Sequence, residues 1–324
     1  MAGSQRVYRA RIRSTQALKK IFRAMELIAA SRIGRARDAA GAQAPYARAL
    51  TRAVGLAATH AGEDLHHPLL SERTDTKRVA LLVLAADRGM AGAYTANVLR
   101  EAEAHAAKLE AGGQEVVRYV VGRRAAGYYE FRGVPLAGKW LGVSDSPTFA
   151  TAKEIANTLI AAFSAPADSD QAVGELHVVY THFKNMVSQQ PRIIRMLPLE
   201  FTDEEAEVVP DGAPAASGTA AATGDAAKAA AQAELYPLYS FEPSAHAVLD
   251  ALLPRYIRSR IYDCLLQAAA SELANRQRAM HTATDNAEDL VRKYTRLANQ
   301  ARQADITQEI SEIVSGADAM AAGN

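Results

Sequence analysis

The chain has little of what most enzyme and redox chemistry needs. It holds one cysteine, Cys264, in 324 residues. No internal disulfide and no CxxC metal or redox pair can form from it, and a reducing cytoplasm is the natural setting. Long apolar runs are missing as well. The longest, VALLVLAA at 79–86, is far too short to span a bilayer, so a soluble chain is expected. No continuous apolar block follows the basic N-terminus, which excludes a secretory signal there. There is no GxxxxGK[ST], GxGxxG, GxSxG or HExxH pattern and no Cys/His nucleophile arrangement.

Weaker chemical signals have plainer explanations. DRGMAGAY at 87–94 follows an apolar strand, but its glycines suit a tight strand-to-helix turn better than a phosphate cradle. His60, His66 and His67 could bind a metal, but no cysteine or carboxylate cluster completes the set at ligand spacing, so a solvated loop is expected. Glu309 and Glu312 read as solvated helix charges. No catalytic residue, cofactor or metal is expected.

Charge is present in balance but not evenly spread. The net charge is +1, yet residues 1–37 hold ten Lys or Arg and one acid, Glu26. Such a segment suits nucleic acid, an acidic membrane surface or an acidic protein partner. Against nucleic acid stands the lack of aromatic interleaving and of any reader motif.

Periodicity organises the rest. Leu18, Phe22, Met25, Ala29, Arg32, Ala36, Ala39, Gln43, Tyr46, Leu50, Ala53 and Ala57 step by four and three, a coiled-coil seam. A helix is predicted from about Val7 to about His60, bent or interrupted at Pro45. From 242 onward the chain reads as helix to its end, across Pro254. Its seam runs Met280, Ala283, Ala287, Leu290, Tyr294, Leu297, Ala301, Ala304, and then changes phase to Ile306, Ile310 and Ile313.

Between these helices the pattern alternates strand and helix. Strands are predicted at 77–87, 115–122, 175–183 and 190–199, the last two as an antiparallel hairpin, and helices at 94–113 and 146–163. The stretch 202–234 holds seven acids, one Lys and no aromatic, which predicts a mobile surface insertion. The fold class is therefore α/β: a small Rossmann-like α/β domain (76–200 plus 235–243) and a long antiparallel coiled coil of the terminal helices (1–60 and 244–324). Neither seam is expected to find enough surface on so small a domain, so the two helices should pair with each other.

The end of the second helix, NQARQADITQEISEI at 299–313, is unusually polar. Asn299, Gln303 and Thr307 recur every four residues on one face, with Arg302 beside them as a forked donor for a carboxylate. Either a specific, breakable contact or a merely soluble helix tip fits that pattern.

Four segments carry a resemblance. RIRSTQALKKIFRAMELIAASRIGRAR (11–37) and RQRAMHTATDNAEDLVRKYTRLANQARQADITQEISEIVSGADA (276–319) resemble the terminal signatures of the γ subunit of F-type ATP synthases. AADRGMAGAYTAN (85–97) and YSFEPSAHAVLDALLPRYI (239–257) are similar to two further segments of that family. The resemblance implies a non-catalytic central rotor stalk in a proton-translocating complex. Its shaft would turn inside a ring of α and β subunits, and its domain would grip subunit ε and the c-ring, with δ elsewhere in the complex. One copy per complex is implied, with no nucleic acid and with membrane contact only through partners.

By the same resemblance Met25, Arg302, Gln303, Thr307 and Glu309 would face the β subunit, and Tyr239 and Glu242 would face ε and the c-ring. Glu26 departs from the family's commoner basic residue beside Met25. A lone Cys264 excludes the regulatory cysteine pair of chloroplast members. The N-terminal signature begins close to Met1, which implies no transit peptide and a place on the cytoplasmic face of a bacterial cell membrane.

Overall fold

The structure is a computed structural model that describes residues 2–61, 67–199, 242 and 244–322. The 202–234 insertion and Tyr239 lie outside the described residues, as does all of 235–243 except Glu242. In chain order the elements are α1 (Ala2–Ala61), β1 (Arg78–Leu84), α2 (Tyr94–Ala111), β2 (Glu115–Val121), α3 (Arg123–Phe131), β3 (Leu136–Trp140), α4 (Phe149–Phe163), β4 (Glu175–Phe183), β5 (Gln189–Leu197) and α5 (Ala245–Ala322).

The five strands form one sheet in the order β3-β2-β1-β4-β5. β1 pairs in parallel with both β2 and β4, and β5 closes the far edge antiparallel to β4. β1 is buried on both faces, which is why its sequence is an unbroken apolar run rather than an alternation. Ala80, Leu82 and Leu84 point to one layer, with α4 and the terminal helices. Leu81 and Val83 point to the other, with α2 and α3. β3 was not expected: LAGKW is short, carries Gly138 and Lys139, and stands at the edge with alternate residues exposed.

α1 and α5 are continuous through Pro45 and Pro254. At 1.5 Å per residue they are about 90 and about 117 Å long. They run antiparallel. Lys19 Nζ lies 2.9 Å from Glu288 Oε2, Gln43 donates to Ser259 Oγ at 3.2 Å, and Tyr8 stacks on Tyr294 at 6.5 Å.

The seam differs from the predicted line by one residue at every second step. On α1, Phe22, Ala29, Ala36, Gln43, Leu50 and Ala57 face inward as expected. Their alternating partners are Lys19, Glu26, Ile33, Ala47 and Val54, each better covered than the predicted Leu18, Met25, Arg32, Tyr46 and Ala53, while Ala39 and Ala40 are half-buried alike. α5 shows the same shift: Met280, Ala287, Tyr294 and Ala301 alternate with Thr284, Val291, Ala298 and Asp305. A four-then-three order and a three-then-four order share half their positions. Leu18, apolar and on the predicted line, is exposed, as are Ile21, Leu27 and Ile28, which lay off it.

A second correction concerns the base of the shaft. The lower part of α5 does bury itself on the domain: Leu249, Leu253, Tyr256, Ile257, Ile261 and Leu265 share one core with the sheet and with Leu50, Val54 and Ala57 of α1. This stretch of α5 is apolar on more than one face, so it packs on α1 and on the sheet together.

Candidate functional site

Two places deserve a functional test: the crevice at the carboxyl ends of the parallel strands, and the upper shaft. In open α/β sheets ligands settle at the first, where strand order reverses. Here that point lies between β1 and β4. Asp87 fills it. Its Oδ1 accepts from Gly142 N at 2.7 Å and Arg123 N at 3.0 Å, and its Oδ2 accepts from Ser144 N at 2.9 Å. Ser144 Oγ in turn accepts from Asp87 N at 2.9 Å.

Backbone N–H groups at the carboxyl ends of β2 and β3, that of Arg123 at the start of α3 among them, thus hold a carboxylate of the chain itself. Burial works against the ionised Asp87, but those N–H donors outweigh it and its pKa falls below the usual carboxylate value. Gly122, at φ +99°, makes the approach possible. A Cβ there would sit 2.3 Å from the Ala85 carbonyl oxygen. DRGMAGAY is the structural turn that its glycines suggested. Tyr94 closes it against the shaft, donating to Ala268 O at 3.2 Å.

His67 is not in a solvated loop. It is buried, its Nδ1 accepts from Leu69 N at 3.0 Å, and its Nε2 lies 2.9 Å from Asp250 Oδ1. Burial lowers its pKa despite Asp250, so neutral His67 donates to Asp250 and pins the chain before β1 to the first turns of α5. His66 and the side chain of His60 lie outside the described residues.

On the upper shaft, Arg302, Gln303, Thr307 and Glu309 are all exposed. α1 begins roughly at the level of residue 300, since Tyr8 already lies beside Tyr294. Beyond that level α5 continues alone, and every residue from Ile306 to Ala317 is exposed, including Ile306, Ile310, Ile313 and Val314. The Thr307 hydroxyl donates to Gln303 O at 2.9 Å, so it is spent within the helix. Arg302 has no hydrogen bond or ion pair to any described residue. A shallow open groove of about 560 Å³ lies just below, lined by Val291, Thr295, Arg296, Asn299, Gln300 and Gln303.

Met25 is not brought to these residues. Its neighbour Glu26 meets His281 at 3.1 Å, which places Met25 about 30 Å below Arg302 along α5. Glu26 itself is a seam residue. It is buried, accepts from Arg23 at 2.9 and 3.0 Å, and joins α1 to α5 through His281. The sequence line missed this because it placed Met25, not Glu26, inward. Glu242 is exposed near the start of α5, at the opposite end of the molecule from Arg302. Exposed Arg9, Arg13 and Lys20 keep the upper face of α1 basic.

Comparison with known proteins agrees with this architecture. The family described as ATP synthase matches residues 4–320. The ATP synthase gamma chain of Beutenbergia cavernae is 62% identical over 322 residues, covering 99% of this chain and 100% of the relative. That of Kineococcus radiotolerans is 56% identical over 321 residues, covering 99% and 98%. Among solved structures, a chain of the Euglena gracilis mitochondrial ATP synthase OSCP/F1/c-ring assembly shares the fold. Its TM-score is 0.61 at 16% identity, covering 100% of this chain and 96% of that one. A chain of the Tetrahymena thermophila central stalk and c-ring gives 0.52 at 19% identity, covering 81% and 99%. No helix among the described residues is long and apolar enough to cross a membrane. With close relatives matched end to end, the chain belongs to the ATP synthase gamma-chain family.

Proposed function

We infer that this chain is the non-catalytic central-stalk rotor of a proton-translocating ATP synthase, carrying torque between a membrane c-ring and catalytic sites on other subunits. The observation that supports this most is mechanical. A two-helix shaft is gripped at its base by a sheet and ends in a single helix, exposed from Ile306 to Ala317, whose side-chain hydrogen bonds stay within that helix among the described residues. Family membership supplies the setting. In this reading residues 1–60 and 244–324 form the shaft, and 76–200 with 235–243 the domain. The partners are α, β, ε and the c-ring, with δ in the same complex on the cytoplasmic face of the cell membrane.

Arg302 and Gln303 are the shaft's contact to a β subunit. Thr307 and Glu309 flank it, and Met25 makes a separate contact lower down. Tyr239 and Glu242, at the opposite end, meet ε and the c-ring. The unpaired Arg302 guanidinium suits a carboxylate or a row of backbone carbonyls. Thr307 contributes shape rather than a donor, because its hydroxyl is already used.

The test is co-expression with α and β from one source and purification through a tag on this chain. A complex with one copy of this chain per three α and three β, hydrolysing Mg-ATP while the lone chain does not, is the expected result. In inverted vesicles holding the whole enzyme, Arg302→Ala with Gln303→Ala should lower ATP-driven proton pumping about tenfold or more, as expected for loss of a positioned charged contact. Failure to recruit α and β would overturn the reading.

A further inference from the structure

The shaft leaves the sheet through a ring of polar contacts that neither the apolar core below nor the bare helix above resembles. On one face of α5, Ser271 Oγ donates to Thr181 O at 3.0 Å and Asn275 Nδ2 to Gln189 Oε1 at 3.3 Å. Arg278 donates to Met186 O at 2.6 Å and Val187 O at 2.8 Å. On a second face, about 100° around the helix, Arg276 donates to Glu272 Oε1 at 2.6 Å and to Arg88 O at 3.4 Å. Burial raises the pKa of Glu272, with the Arg276 guanidinium and then the Ser144 hydroxyl opposing the rise, and Oε2 of Glu272 has no hydrogen-bond partner among the described residues. α1 joins the ring through an ion pair between Arg32 and Asp145.

Glu272 is 1% exposed and Arg276 6%. A buried ion pair is a poor device for stability, because its desolvation cost offsets its attraction and apolar residues of like volume often serve as well. What such a pair supplies is position. Hydrogen bonds weaken steeply with angle and distance, whereas apolar contacts tolerate sliding. Bonds that leave the helix on two faces oppose rotation about its axis: those of Ser271, Asn275 and Arg278 on one, and that of Arg276 to Arg88 O on the other, where Glu272, within the same helix, holds the Arg276 guanidinium in place. They also sit at the last level where the sheet still touches α5.

We propose that Glu272 and Arg276, with Ser271, Asn275, Arg278 and the Arg32–Asp145 pair, form a torsional lock that fixes the rotational phase of the shaft against the domain. Glu272 and Arg276 are positioning residues: they touch no nucleotide and act through the angle at which the upper shaft is presented. The lock rests on the rotor reading above, because it matters only if torque passes between domain and shaft.

The test uses the assembled complex with its α and β ring held on a surface and a rotation probe on an exposed site of the domain. Replacing Glu272 and Arg276 together by Met keeps the volume apolar and the fold stable, and should widen the angular variance of the probe during catalytic pauses to about twice its normal value. Thermal stability and the KM for ATP should stay near those of the unsubstituted complex, which a merely structural role would not combine with a wider variance. Unchanged variance in a variant that assembles overturns the lock. If that double variant does not assemble, Arg32→Ala with Arg278→Ala removes only rim contacts. It should give a smaller widening, and no widening again overturns the lock. Should the unsubstituted complex hydrolyse ATP without turning the probe at all, the rotor reading itself fails, and that outcome is distinct from an unchanged variance.

Discussion

The two halves of α5 have the same secondary structure and opposite circumstances. From Cys264 to Ala274 every residue but Gln267 is buried, because α1 and the sheet cover the helix together. From Ile306 to Ala317 every residue is exposed. The lower half is held by the hydrophobic effect and contributes to folding. The upper half gains little from packing and persists as helix through its own backbone and a narrow seam, so its side chains are free for a partner. Burial and exposure are thus separated along one helix.

The sharpest way to break that comparison is to shorten one leucine in each half. Leu265, 2% exposed in the main core, should cost about 3 kcal/mol as Leu265→Ala. Leu290, 42% exposed on the upper shaft, should cost less than about 0.5 kcal/mol as Leu290→Ala. Urea unfolding of the full chain, followed by the fluorescence of Trp140, the single tryptophan on β3, measures both. Equal losses would mean that the upper shaft is part of the same cooperative unit.

The Asp87 knot tests how the sheet is tied at the end that faces the shaft. Asp87→Ala removes three hydrogen bonds to a carboxylate and should cost about 2 kcal/mol at pH 7. Its depressed pKa sets the sign of the pH effect. The contribution is full above the ordinary value of 3.8 and is lost as pH falls through the lower folded value. The unfolding curves of the two proteins should therefore converge in acid. A constant gap down to the lowest pH would mean that the carboxylate charge is not what ties the three loops together.

Much of this was legible in the sequence, but unevenly. Four of the five strands, the β4–β5 hairpin and both terminal helices follow from apolar runs and from spacing. β3 did not, because a half-exposed edge strand of five residues with Gly138 and Lys139 carries almost no apolar signal. The seam was half right, because a four-three repeat and a three-four repeat share every second position. Only partner geometry decides between them, and it placed the ionisable Glu26 inside and Leu18 outside. Of the candidate site, Arg302, Gln303, Thr307 and Glu309 do lie together on one exposed stretch of helix, as helical spacing requires. The distance of Met25 from them follows from antiparallel register, which spacing within one helix cannot report.

The smallest effect lies on the face of the sheet turned away from the shaft. His105 Nε2 is 2.6 Å from His177 Nδ1, and His177 Nε2 is 2.9 Å from Glu175 Oε2, which Gln114 steadies through Oε1 at 3.1 Å. With both rings neutral, each gap holds one proton: His105 donates to His177, and His177 donates to Glu175. Burial pulls the pKa of His177 below 6.5 against the opposing Glu175. Burial, then His177 and Lys108, pull down that of His105. The unfolded chain therefore takes up protons near pH 6.5 while the folded chain still refuses them. Stability is full above that pH and falls as the pH drops through the folded values. His105→Gln should cost about 1 kcal/mol at pH 7.5, one hydrogen bond, and should flatten the decline between pH 7 and 5. Trp140 fluorescence should show that flattening. A pH slope of the same size in the variant would place the titrating group elsewhere, with His67 and its Asp250 partner the next to substitute.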